Sequence, residues 1–265
     1  MGIVSPAPFL LAMGGLALFV TVVGGPRELQ FFDAYPVPAT VGLLSGVALG
    51  VAFVLARKRS VPPALFAGLS LPPWLTALFL SLRDMREMDQ KVSGFLHTQN
   101  GRHIIGTGLG EQTQVLALGL WLSAWLLLAC ALGGWWAARR ADERRRRHVP
   151  RLLLYSAFVH FAFAQLMLGR AWTFMSSGTL DSEAARRWAA LGAEKFSSWK
   201  DGILVAMFLL VLELLVQGYR SLKDSRALAS LLALATVMAL SLGLEFVSWR
   251  EGVRVATRYD VPYRP

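Results

Sequence analysis

Only one cysteine, Cys130, occurs in the chain, so no intramolecular disulfide can form, and its place inside an apolar run suits a small packing residue. Charge is also scarce, with Asp, Glu, Lys and Arg making up 17% of 265 residues. Bases outnumber acids 27 to 17, a formal net charge of +10. In a soluble protein that excess would point to nucleic acid. Here the charges sit between apolar blocks and follow the order of the connections, so a nucleic-acid partner is not expected. Histidine is scarcer still, at four residues. His97 and His103 lie in a polar connection without Glu or Cys at ligand spacing, which argues against zinc. His160 alone falls within an apolar run, which argues against bis-histidine haem. The last apolar run lacks lysine, so a retinal Schiff base is excluded. Met175-Ser176-Ser177-Gly178 has no histidine placed to activate a serine. No cofactor, metal or catalytic set is expected.

What the chain has in abundance is apolar sequence, at 55% of residues and arranged in blocks. A helix needs about 20 apolar residues to cross the hydrocarbon core of a bilayer. Seven stretches qualify as spans: 6–24, 38–56, 62–82, 113–138, 152–171, 201–219 and 226–248. The first lacks the basic start and small-residue cleavage site of a signal peptide, so it counts as a span. Pro72-Pro73 inside the third span must kink or interrupt it. The expected fold is all-α: a polytopic bundle of about seven transmembrane helices forming a single integral-membrane domain over 1–265.

Orientation follows from the basic residues. Connections after the second, fourth and sixth spans hold Arg57-Lys58-Arg59, then Arg139, Arg140, Arg144 to Arg147 and Arg151, then Arg220, Lys223 and Arg226. Thirteen bases face three acids there, Asp142, Glu143 and Asp224. Dense, short, basic loops belong in the cytoplasm. The N-terminus is therefore expected inside and the C-terminus outside, in a cytoplasmic (inner) membrane. Trp172, Trp199 and Trp249 fall at the expected outer ends of spans, and Trp135 and Trp136 at an inner end.

Two outward connections, 83–112 and 172–200, look structured. Met85, Met88, Val92 and Phe95 recur at helical spacing among charges, so the third span should continue as an amphipathic helix. Asn100-Gly101 then marks a turn. In the second connection Asp181 can cap a short helix that Gly192 ends, with Ala184, Trp188 and Leu191 opposite Arg186 and Arg187. The third and fourth spans and the fifth and sixth form two similar hairpins. Each descending helix carries a glutamate followed eight residues later by glycine, Glu111 with Gly119 and Glu194 with Gly202. Both members lie near one helix face, and a glycine there admits a close helix neighbour.

Gly108-Leu109-Gly110-Glu111, followed by Ala117-Leu118-Gly119-Leu120, resembles the MotA/TolQ/ExbB proton-channel family at the start of its last span. The family's path-lining threonine falls at Leu116, and the preceding span reads Pro73-Trp74-Leu75-Thr76-Ala77-Leu78 where the family has a glycine-rich run. The resemblance implies an ion-channel or motor-type subunit that works with a single-span partner. Ionisable and polar groups inside spans are costly and mark function by default. Glu213 and Gln217, with His160 and Gln165, are the ion-path or buried polar candidates. His160 and Glu213 are expected at similar depth on neighbouring helices, as a proton-exchanging pair or as separate structural hydrogen bonds, with Glu213 held by Gln217. The expected partners are membrane lipids and either further copies of the chain or another membrane protein. The alternative is an integral-membrane enzyme or lipid-handling protein using Glu111, His103, Asp181 and Glu194 on the outward connections.

Overall fold

The computed structural model describes residues 36–55, 63–95, 98–140, 148–179, 182–222 and 224–262. The expected first span, His97 and Asp181 lie outside them. Seven helices and one 3-10 turn are found there, with no strand among the described residues. They are α1 (Pro36–Leu55), α2 (Pro63–Ser70), α3 (Pro72–Val92), the turn Ser93–Phe95, α4 (Gln99–Arg140), α5 (His148–Ser177), α6 (Ser182–Ser221) and α7 (Ser225–Arg258). By length and composition α4, α5, α6 and α7 could each cross a membrane, and the pair α2–α3 makes a fifth if its 42° bend is one broken span. The described part of the chain is thus all-α, and its long apolar helices are of the kind that cross membranes. The break falls at the expected place, because Pro72 and Pro73 have no N–H to give the carbonyls one turn back.

Local chemistry sets the helix ends. Thr98 caps α4, its Oγ1 accepting from Gly101 N at 3.0 Å. Asn100-Gly101 therefore lies in the first helical turn and is not the turn that the dipeptide suggests. Asp224 caps α7 by accepting from Arg226 N and Ala227 N at 3.0 and 3.2 Å. At the other end of α7, Val261 N reaches Ala256 O at 2.9 Å and Asp260 N reaches Thr257 O at 3.4 Å. Asp260 takes the left-handed position of this Schellman cap, with φ 54°.

The helices run well past membrane length. With 42 residues in α4 and 40 in α6, each is roughly 60 Å long at 1.5 Å per residue. The second outward connection is consequently not a short helix ending at Gly192, because α6 runs unbroken through it. Gly192 is held in the helix by packing: a Cβ there would lie 2.7 Å from Gly169 O and 2.6 Å from Thr173 Oγ1. A tertiary contact overrides the helix-ending tendency of glycine.

Contacts divide the chain into two compact units. Unit 1 takes the described parts of Met1–Pro73, Leu122–His160 and Ala206–Leu240. In it α1 packs on α4 where Gly42 meets Leu122, α4 meets α5 where Gly134 faces Pro150, and Ser70 Oγ lies 3.7 Å from the buried Cys130 Sγ. Unit 2 takes Trp74–Trp121, Phe161–Val205 and the described part of Ser241–Pro265. Three alternate glycines let α4 approach two neighbours there. Gly106 faces Gly178 N and Phe174 O of α5, Gly110 faces Met175 and Ala171 O of α5, and Gly108 faces Met88 of α3. Thr107 Oγ1 ties the crossing by donating to Gly178 O at 2.9 Å.

Burial is uneven among the spans. In its most apolar stretch α4 is 78% buried and α5 67%, whereas α6 and α7 are each 17% buried. On α7 the buried positions Leu234, Met238, Ser241, Glu245, Ser248, Gly252, Val255 and Tyr259 alternate at spacings of four and three. That is a narrow seam with a 3.5-residue repeat, and Ala256 widens it near the end of the helix.

Glycine substitutions should separate tight positions from open ones. Gly192→Ala should cost about 2–3 kcal/mol by overpacking against backbone. Gly218→Ala meets nothing within 4 Å and should gain up to about 1 kcal/mol of helix propensity. Thermal unfolding in detergent checks both, and equal melting of the two variants would discard the packing account.

Candidate functional site

The residues singled out from the sequence fall into several local settings. Gln217 is buried and donates from Nε2 to Glu213 Oε1 at 2.8 Å, while Glu213 is partly exposed. His160 is buried, and its Nδ1 lies 2.8 Å from Ser156 O one turn back. Gln165 is buried on α5 and accepts from Lys195 Nζ of α6 at 2.9 Å. Glu111 and Glu194 are both exposed. Gly119 is buried within α4, whereas Gly202 is half-buried and faces only Trp199 of its own helix, at 3.5 Å. Close helix approaches are seen at Gly106, Gly110, Gly169, Gly178 and Gly192.

The expected pairing of His160 with Glu213 does not follow from the helix register. Phe161 packs edge-on against Trp199, ring centroids 5.3 Å apart, which puts this part of α5 beside residues near 199 on α6. Glu213 lies fourteen residues farther along α6, roughly 20 Å at 1.5 Å per residue. Reading depth from the ends of the apolar runs failed because α6 and α5 are offset, and the run lengths alone do not report that offset.

A charged centre closes unit 2. Asp89, on the amphipathic continuation of α3, has a side chain only 9% exposed. It takes Arg258 Nη1 on both oxygens at 3.1 and 3.2 Å and Arg254 Nη2 at 3.3 Å. Its main-chain carbonyl accepts from Tyr259 Oη at 3.0 Å. Glu251 steadies Arg254 through contacts at 2.9 and 3.0 Å. The α7 residues recur at helical spacing, so one face presents the whole set to α3. Burial, and then the neighbouring Asp89, push the Tyr259 phenol above its ordinary range.

A second cation lies deeper in the same unit. Arg170 of α5 is 1% exposed, donates Nη1 to Trp249 O at 3.1 Å, and stacks its guanidinium 3.9 Å from the Trp249 ring and 5.1 Å from Phe174. Aromatic faces offset part of the desolvation of a buried cation. Gly252 lies beside it, where a Cβ would stand in ordinary contact with the guanidinium at 3.9 Å. Glu245, one turn before Trp249, is fully buried. Lys195 repeats the pattern between Gln165 and the Trp172 ring, 5.9 Å away, and Trp172 in turn packs on Trp188. The three tryptophans expected as outer anchors are thus half-buried ring partners for neighbouring helices.

Sequence reasoning passed over Asp89, Arg170, Arg254, Arg258 and Tyr259. A signal was available for α7, where Arg250, Arg254 and Arg258 repeat every four residues beyond the apolar run. Arg170, at the end of an apolar run, gave none that distinguished it from a lipid-facing anchor. Among the described residues no group of three or more His, Cys, Asp and Glu is placed to hold a metal ion. The arrangement can hold helices in register and present charge. No family model, curated protein or solved structure matches this chain.

Removing the Asp89 side chain should cost about 1–2 kcal/mol, a figure reduced by the half-exposure of both arginines. Glu87→Ala, which breaks only exposed pairs with Arg83 and Lys91, should cost under about 0.5 kcal/mol. Equal losses in chemical denaturation would remove the clasp from consideration. Alkaline titration gives a separate check. A phenol pKa raised on folding contributes stability that is complete below its unfolded value near 10 and fades as pH rises through the folded value. Wild type should therefore lose stability above pH 10 more steeply than Tyr259→Phe; parallel curves would contradict the buried-phenol account.

Proposed function

We propose that the chain is a seven-span subunit of a membrane assembly, with its N-terminus in the cytoplasm and helix extensions projecting on the opposite side. The observation that carries this is the contrast between a covered core, α4 and α5, and two spans, α6 and α7, whose apolar stretches are only 17% buried. Leu204, Phe208, Leu215 and Tyr219 on α6 are 65–80% exposed. A partner helix, from another copy or a single-span protein, would cover such a surface by van der Waals packing, and Glu213 with Gln217 would give it a polar point of registry. The Asp89 clasp and the Gly106–Gly178 crossing support a rigid scaffold in place of a moving gate.

The ion-channel version of this role now rests on Glu213 and the short motif around Gly108 and Glu111 alone, since the register separates Glu213 from His160. The glycines of that motif also have a sufficient packing explanation in their contacts with Met88 and Met175. An assembly role without conduction is therefore the version we favour.

Single cysteines test both halves of the proposal, since Cys130 is buried and contributes little background. Lys91→Cys and Arg187→Cys should react with an impermeant thiol reagent added to intact cells, and Arg220→Cys should not. On the open face of α6, Phe208→Cys should form an intermolecular cross-link in native membranes, to itself or to a co-purifying single-span protein. Labelling at Arg220 overturns the orientation. Absence of any cross-link along α6, with a monomeric mass in nanodiscs, overturns the assembly.

A further inference from the structure

The contacts inside unit 2 set four helices in a common register. Against α5, α6 runs antiparallel: Gly192 meets Gly169, Lys195 meets Gln165 and Trp199 meets Phe161. Also antiparallel to α5 is α4, where Gly106 meets Gly178 and Gln114 Nε2 lies 3.1 Å from Met175 Sδ. In turn α3 meets α4 where Ser81 Oγ donates to Gln112 O at 3.1 Å and Met88 lies on Gly108. Following these contacts, Ser81 of α3 comes about level with Ala190 of α6. Below Ser81, α3 exposes hydrocarbon: Phe79 is 68% and Leu75 41% exposed. At those same levels and below, α6 exposes Glu194, Ser197, Ser198, Lys200 and Asp201. Roughly 10 Å of polar helix face thus lies at a depth where the opposite side of the unit is apolar.

Polar side chains at hydrocarbon depth require polar company. On α6 the positions Arg187, Glu194, Ser198 and Asp201 share one face, spaced seven, four and three residues apart, and Val205 continues it. Lys200 flanks that face, and from Leu204 onward the exposed surface is apolar, with Leu204 65% and Val205 58% exposed. Two acids with a flanking base match a zwitterion that carries both charges. An anionic headgroup would meet two carboxylates and be repelled. A primary ammonium can donate three hydrogen bonds to carboxylates and hydroxyls, which a quaternary ammonium cannot.

We propose that this face of α6 holds a zwitterionic aminophospholipid, phosphatidylethanolamine in chemical class. Its ammonium lies between Glu194 and Asp201, its phosphate on Lys200, and its first acyl segment along Leu204 and Val205. The proposal rests on the chain crossing a bilayer but not on any partner subunit, so it stands or falls apart from the assembly reading. The headgroup sits below the plane that α3 defines, and the lipid fills what would otherwise be a polar notch.

Native mass spectrometry of the full chain in mild detergent, titrated separately with phosphatidylethanolamine, phosphatidylcholine and phosphatidylglycerol, tests this. Retention of phosphatidylethanolamine should be about tenfold tighter than of the other two. The double variant Glu194→Gln with Asp201→Asn should lose that preference while melting like wild type without lipid, since both changes keep shape on an exposed face. Equal retention of the three lipids, no retention of any, or an unchanged preference in the double variant each overturns the proposal. So does disulfide formation between Ser198→Cys copies that rises with protein concentration, because a second copy would then cover the face.

Discussion

Helix approach in unit 2 is limited by backbone meeting backbone. At Gly192 against Gly169, and at Gly106 against Gly178, the facing groups are carbonyl oxygens and amide nitrogens, with no space for a methyl group between them. Contacts of this kind are shape-specific: sliding one helix by a single residue would drive a neighbouring side chain into the gap. They therefore hold α4, α5 and α6 in one register, and the polar contacts inherit it. Lys195 reaches Gln165 because Gly192 sits on Gly169, and Thr107 reaches Gly178 because Gly106 lets the helices close.

Within that frame the unit buries charge in a graded way. Arg170 is enclosed and leans on aromatic rings and a main-chain carbonyl, an arrangement suited to a cation that has lost its water. Asp89 is nearly enclosed but receives arginines whose own side chains remain 43–48% in solvent. The outermost pairs, among Arg83, Glu87 and Lys91, are solvated and contribute little. Apolar packing supplies adhesion between the helices, while the enclosed polar groups specify which face meets which.

Helical membrane character could be read from apolar blocks, and the broken span from Pro72-Pro73, because both depend on short-range composition. The amphipathic continuation of α3 was equally legible from Met85, Met88 and Val92, since a 3.6-residue period survives without tertiary information. Gly192 was misread because glycine's local tendency to end a helix was outweighed by a neighbour that α5 supplies. The His160–Glu213 pairing was misread for a related reason: depth was counted from apolar ends, whereas α6 is displaced along α5 by contacts that the spans themselves do not encode. The clasp at Asp89 joins positions more than 160 residues apart, and no local pattern carries such a pairing.

That separation has a bearing on how the molecule is made. Ribosomes add about 5–20 residues each second, so Asp89 is in place for roughly 8–30 seconds before Arg254 and Arg258 are synthesised. During that interval the carboxylate at the end of α3 has only water and its own helix for company, while α4 and α5 can already lock through their glycines. The arginines of α7 thus act as a late fastener, closing onto a frame that is largely set. A nascent chain halted before α7 would display an unmatched acid on an otherwise packed surface, a chemical mark by which an unfinished molecule differs from a finished one.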